Sequence, residues 1–290
     1  MKSGFSITVL FAFLLCARAG AAAIVFSTNF DEFDRSKAVS QQFGWTTDDP
    51  YDPATQTGQS DAPRIVNGYS LTNSDNWAVL GGLTGLPPGR TTIDIWKPFS
   101  TAGVLAQTPA ANDLQFSVDA SITSSQIPRP NHDSFAFSFR NSTGIALFQL
   151  SFDFNAANSS MRLSFVDGNV IATSTGFGVQ FDATYSYIFD ANLADLTTDT
   201  LSLKIRDSLG TTTPIFTNKL LPEGTVSQIA QIAEVWRIQN ATLDANGHPT
   251  QYGSNAMIFQ NVNVSVIPEP SSALLVVLAA GALVSRRRRR

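Results

Sequence analysis

Apolar and polar side chains alternate through most of this chain, and that period of two constrains the fold more than any other feature. Residues 114–122 read LQFSVDASI, residues 134–140 read SFAFSFR and residues 145–154 read IALFQLSFDF. Phe135, Phe137 and Phe139 therefore share one strand face, as do Phe148, Leu150, Phe152 and Phe154. Successive side chains of a strand point to opposite faces, so the pattern predicts half-buried antiparallel strands. Residues 161–166 (MRLSFV), 201–205 (LSLKI) and 256–266 (AMIFQNVNVSV) repeat it.

Turn chemistry separates these runs. Asn141-Ser142-Thr143-Gly144, Asp167-Gly168-Asn169 and Asp207-Ser208-Leu209-Gly210 each predict a hairpin between flanking strands. Residues 23–30 and the last run before the tail are expected to be strands that pair with each other. Residues 46–64 are polar and proline-rich and are expected to form a loop. Only residues 225–235 carry a helical spacing, with Ile229, Ile232, Ala233 and Val235 three or four apart and Thr225 as a cap. One short helix at most is expected there. About a dozen strands with regular turns predict an all-β fold, an antiparallel β-sandwich of jelly-roll type.

Composition narrows the chemistry. Cys16 is the only cysteine, and it lies in the N-terminal apolar stretch, so the body has no disulfide framework, no cysteine zinc site and no thiol nucleophile. Stability must come from the core, and about 240 residues suffice to bury one. Setting aside Lys2, Arg18 and the five terminal arginines leaves 12 basic residues, and setting aside Glu269 leaves 22 acidic ones, so the body is near −10. Nucleic acid, which needs a basic face, is excluded as a partner. The charge is compatible with neutral glycans and cations, and equally with simple solubility.

Both ends carry handling signals. Lys2, the apolar residues 5–15 and the small residues 17–23 have the order of a secretory signal peptide, residues 1–23, cut after Ala23 with Ala19 or Ala21 as alternatives. Leu15 before Cys16 argues against lipidation. At the other end Pro268-Glu269-Pro270 precedes a membrane segment, residues 271–285, apolar from Ala273 to Val284, and the cluster Arg286, Arg287, Arg288, Arg289 and Arg290, which the positive-inside rule keeps cytoplasmic. The stretch 271–285 is shorter than the roughly 20 residues of a spanning helix, which makes it a marginal single transmembrane segment. This order resembles the PEP-CTERM sorting tail, here residues 267–290. The resemblance implies an exosortase-like membrane protease as a partner, after the Sec translocon and signal peptidase, and a final place at the cell surface or in an extracellular matrix.

The body, residues 24–266, opens on a V-F-S-x-N-F-D strand. Gly44-Trp45, Asn76-Trp77-Ala78-Val79-Leu80-Gly81-Gly82, Phe-rich hairpins and a closing I-F-x-N-V-x-V strand follow. This order resembles the concanavalin A-like lectin/glucanase group, including laminin-G-like modules. The resemblance implies ligands on the concave sheet or its rim, and calcium in many members.

Glycan hydrolysis on such a fold needs two carboxylates on one strand face. Here Thr92-Ile93-Asp94-Ile95-Trp96 keeps only the central aspartate, and the body's glutamates, Glu32, Glu223 and Glu234, are far apart in sequence. The expectation is a body that binds glycan or exopolysaccharide, not an enzyme, with a hydrolase using an unrecognised Asp pair, or a purely structural matrix module, as the alternatives. His132 and His248 are the only histidines and have no metal-ligand spacing. Asp48, Asp49 and Asp52 are candidate structural-calcium ligands, and Asp244 with Asn246 is a second cluster; ordinary turns are the alternative reading of both. Trp45, Tyr51 and Tyr252 lie in polar stretches and are the candidate sugar-stacking residues. Trp77, Trp96 and Trp236 lie in apolar runs and are expected in the core.

Overall fold

A computed structural model describes residues 23–34, 39–48, 64–67, 76–81, 88–100, 111–124, 132–157, 159–167, 171–192, 199–239, 241–250, 253 and 255–268. Residues 1–22 of the expected signal peptide and the expected sorting tail beyond Pro268, with its membrane segment 271–285, lie outside the described residues. Among the described residues no helix is long and apolar enough to cross a membrane.

The described residues form fifteen strands in two antiparallel sheets. In order they are β1 Ala23–Thr28, β2 Thr46–Thr47, β3 Arg64–Asn67, β4 Asn76–Gly81, β5 Thr92–Pro98, β6 Ala111–Ile122, β7 Ser134–Arg140, β8 Ala146–Asn155, β9 Ser160–Asp167, β10 Ile171–Val179, β11 Thr184–Asn192, β12 Asp199–Asp207, β13 Thr212–Leu221, β14 Gln231–Arg237 and β15 Ala256–Pro268. The eight-stranded sheet runs β13-β12-β11-β6-β15-β4-β3, with β1 also on β15. The seven-stranded sheet runs β10-β9-β8-β7-β14-β5-β2. The all-β sandwich expected from the alternation is what the chain forms.

The three predicted hairpins join β7 to β8, β9 to β10 and β12 to β13. The terminal strands pair as expected, with Ala23 opposite Val266. β15 is the hub of its sheet. It runs along β6 on one side, and its other side is shared by β4, opposite Ala256 to Phe259, and β1, opposite Val262 to Val266. The switch occurs at a bulge where Asn261 takes a left-handed φ of 51°.

Between the sheets the Phe stripes interlock. Phe116 meets Phe139 edge-on at 4.8 Å, and Tyr187 meets Phe137 and Phe152 at 5.3 Å each. A buried polar node seals one region of this core. The Asp133 carboxylate accepts the Trp236 indole N–H at 2.9 Å and the Gly253 N–H at 2.8 Å, and Asn255 brackets the Asp133 backbone. A Cβ on Gly253 would come within 2.6 Å of the Asp133 nitrogen, so only glycine fits.

Two local expectations are corrected. Residues 225–235 are not a helix: Val226–Gln228 is a single 3-10 turn, and the Thr225 hydroxyl donates to the Pro222 carbonyl instead of capping it. Gln231–Arg237 is strand β14, in the interior of the seven-stranded sheet. Ile232, Ala233, Val235 and Trp236 are all buried, because both faces of this strand are covered. A strand buried on both faces loses its alternation, and its apolar run then imitates helical spacing. Secondly, Thr46–Thr47 forms the short edge strand β2 against β5, although the sequence there reads as loop.

Candidate functional site

Strand β5 turns Ile93 and Ile95 to the core, both wholly buried, so Thr92, Asp94 and Trp96 point to the outward face of the seven-stranded sheet. Asp94 is the centre of a charged strip. Its carboxylate forms an ion pair with Arg140 of β7, both side chains being mostly buried. The intervening β14 presents the small side chains of Ala233 and Val235 on that face, which leaves the guanidinium room to cross it. Arg140 also donates from Nε to Ser138 at 3.3 Å.

The end of β2 locks onto the same residue. The Thr47 hydroxyl and the Asp48 N–H donate to the Asp94 carbonyl at 2.7 and 3.3 Å, and the Asp94 N–H donates to Asp48 Oδ1 at 2.8 Å. Arg90 closes the strip by pairing with Asp48 Oδ2 at 2.5 Å. Burial pushes the Asp48 carboxyl up from its ordinary value; the neighbouring Asp94 charge adds to the rise, and the Asp94 N–H and Arg90 oppose it. Half-buried Trp96 sits two residues from Asp94 on the same face, opposite Thr46. The strip thus sets the Asp94–Arg140 pair and an indole on one sheet face, with the Asp48–Arg90 pair at the β2 edge beside them.

The other candidate residues fall as follows. Trp45 is not exposed, which corrects the expectation drawn from its polar neighbours: it is only 2% accessible. The turn before β2 folds its ring inward, against Phe30 at 5.5 Å and Phe26 and Phe259 at 6.2 Å each. Trp77 and Trp236 are buried as expected, whereas Trp96 is only half-buried because it points away from the core. Asp48 is committed to Arg90 and to the backbone of Asp94. Asp49, Tyr51, Asp52 and Tyr252 lie outside the described residues. Among the described residues no group of three or more His, Cys, Asp or Glu side chains converges as a metal site.

Asp244 is exposed and accepts the N–H groups of Asn246 and His248 at 2.8 Å each, the arrangement of a turn. These backbone hydrogen bonds hold its carboxyl below the ordinary value. Pro268 is the last residue of β15; Glu269, Pro270 and Arg286 to Arg290 lie outside the described residues. Arg90 and Arg140 were not among the residues singled out from the sequence. Each partners an aspartate more than 40 positions away, and nothing local announces such a pairing.

No family model and no curated protein matches this chain. Several solved structures do. The CBM2 module of an evolved Dit from Lactobacillus casei BL23 phage J-1 is 13% identical, with a TM-score of 0.48 over 86% of this chain and 97% of that one. A marine PL-14 alginate lyase from Aplysia kurodai is 9% identical, with a TM-score of 0.48 over 84% and 99%. The catalytic domain of a glycoside hydrolase family 131 protein from Coprinopsis cinerea is 12% identical, with a TM-score of 0.46 over 86% and 99%. At such values none of them bears on what this chain binds.

Proposed function

We propose that this chain is an exported bacterial surface or matrix protein whose β-sandwich body binds glycan along the Asp48–Asp94–Arg140–Trp96 strip. The carrying observation is the strip itself: the Asp94–Arg140 pair beside an indole on an outward sheet face, with the Asp48–Arg90 pair at its edge. Carboxylate and guanidinium groups bracket sugar hydroxyls with charge-assisted hydrogen bonds, and an indole stacks on the apolar face of a pyranose. The signal-like N-terminus and the cysteine-free, acidic body support export, and the Pro268-Glu269-Pro270 order supports processing by an exosortase-like protease.

The test is retention of the purified protein in gels cast with neutral and acidic polysaccharides. Arg140→Ala is expected to weaken retention about tenfold, the loss of one charge-assisted contact, and Trp96→Ala similarly. Equal retention of both variants and the parent on every polymer overturns the reading. Processing is checked by the mass of the protein recovered from cells: a full-length species with its arginines intact, confined to the inner membrane, sinks the sorting claim.

One observation favours a second reading. Burial raises the Asp48 carboxyl, which lies next to Asp94, and a glycan hydrolase works with two carboxyls. Reducing-sugar release that disappears in Asp48→Asn would establish it; no release from any polysaccharide retained in the gels would remove it.

A further inference from the structure

A cleft of about 570 Å³ opens between the end of β1, the turn that follows it and the Phe43–Trp45 turn that leads into β2. Its size falls within the roughly 300–1,000 Å³ of small-molecule sites. Its lining is two-sided. Phe33, Phe43 and Trp45 supply aromatic surface, with the Phe33 and Phe43 rings 4.7 Å apart. Asn29, Glu32 and Asn261 supply amide and carboxylate groups.

Three features of this cleft bear on a ligand. Phe43 is 58% exposed, and its backbone holds a φ of 49°, a conformation that a bulky residue rarely adopts. Lys97 fixes that turn by donating to the Phe43 carbonyl, so the ring is held out by design of the local backbone. Across the cleft Asn261 also has a left-handed φ, and its side-chain amide is anchored to Asp119 at 2.8 Å, which leaves its side-chain carbonyl oxygen available. Thirdly, the Trp45 indole N–H is buried and finds no acceptor, although buried donors are almost always paired. Strained backbone gathers where a ligand is held, and Trp45, whose donor is unpaired, is one of the residues lining the cleft.

We infer that this cleft is a ligand site distinct from the charged strip and that it takes a single neutral pyranose ring. The ring stacks on Phe43, one of its oxygens accepts the Trp45 N–H, and Asn29, Glu32 and Asn261 hold its hydroxyls. The inference shares with the proposed function only the class of ligand, and its residues are different.

The test uses the full chain and four probes: methyl glucoside, methyl mannoside, methyl galactoside and N-acetylglucosamine. Binding is read by saturation-transfer NMR and by tryptophan fluorescence. At least one probe is expected to bind, and Phe43→Gly to weaken it about tenfold while the unfolding temperature stays the same or rises, because glycine tolerates that φ. Trp45→Phe keeps the packing and removes the donor, and it is also expected to weaken binding. The inference is overturned if none of the four binds, or if Phe43→Gly and Trp45→Phe bind as the parent does. Loss of polysaccharide retention in Arg140→Ala with unchanged monosaccharide binding in Phe43→Gly overturns the cleft and leaves the strip standing; the opposite pattern supports the cleft and overturns the strip.

Discussion

At position 234 a carboxylic acid occupies a place built for apolar side chains. Glu234 is wholly buried on the core face of β14, in register with Ile95 on one side and Phe137 on the other. Neither carboxyl oxygen has a hydrogen-bond partner. Burial raises its pKa to about 8; its own backbone N–H and the charge of Arg140 oppose the rise without bonding to it. The folded chain therefore holds this proton more tightly than the unfolded chain does. The stability it protects is fully present below the unfolded value of 4.5 and is lost as pH rises to about 8. Denaturation by urea along a pH series should show stability falling across that window by up to about 1.4 kcal/mol per pH unit. Glu234→Gln should remove that slope, and an unchanged profile would refute the account. The sequence showed Glu234 to be one of few glutamates and far from the others. It did not show which way the side chain points, because β14 lacks the alternation that would have revealed it.

At the scale of elements, local chemistry was legible wherever one face of a strand meets solvent. The hairpin between β7 and β8 is an example. The Asn141 side-chain oxygen accepts the N–H groups of Thr143 and Ile145 at 3.0 Å each and the Thr143 hydroxyl at 2.8 Å, and Gly144 takes a φ of 85°. Asn141→Ala should cost about 1–2 kcal/mol by stranding these donors, whereas Asn141→Asp should be nearly neutral, both read by thermal unfolding. A loss as large for aspartate as for alanine would mean that the turn is held by something else. What the sequence hid is what depends on distant partners. Trp45 read as exposed because its neighbours are polar, yet Phe30 and Phe259 cover it. Asp94 stood out in its strand, but Arg140 and Asp48 reach it only through sheet order.

For the whole molecule, the pairing of β1 with β15 brings Ala23 beside Val266. A circular permutant joining these ends by a short linker and opened beside Leu209, a hairpin tip 90% exposed, should keep the fold with a loss of about 1–2 kcal/mol. Collapse of that permutant to an unfolded chain, by circular dichroism, would show that the pairing does not hold the ends together. The position of β15 has a further consequence, in time instead of space. It is the partner of β1, β4 and β6, and it is the last of the described strands to be made. A chain that emerges N-terminus first cannot close its larger sheet until its final strand is free. β1 thus waits unpaired while almost the entire body is made, and the larger sheet locks only when β15 is free to join it.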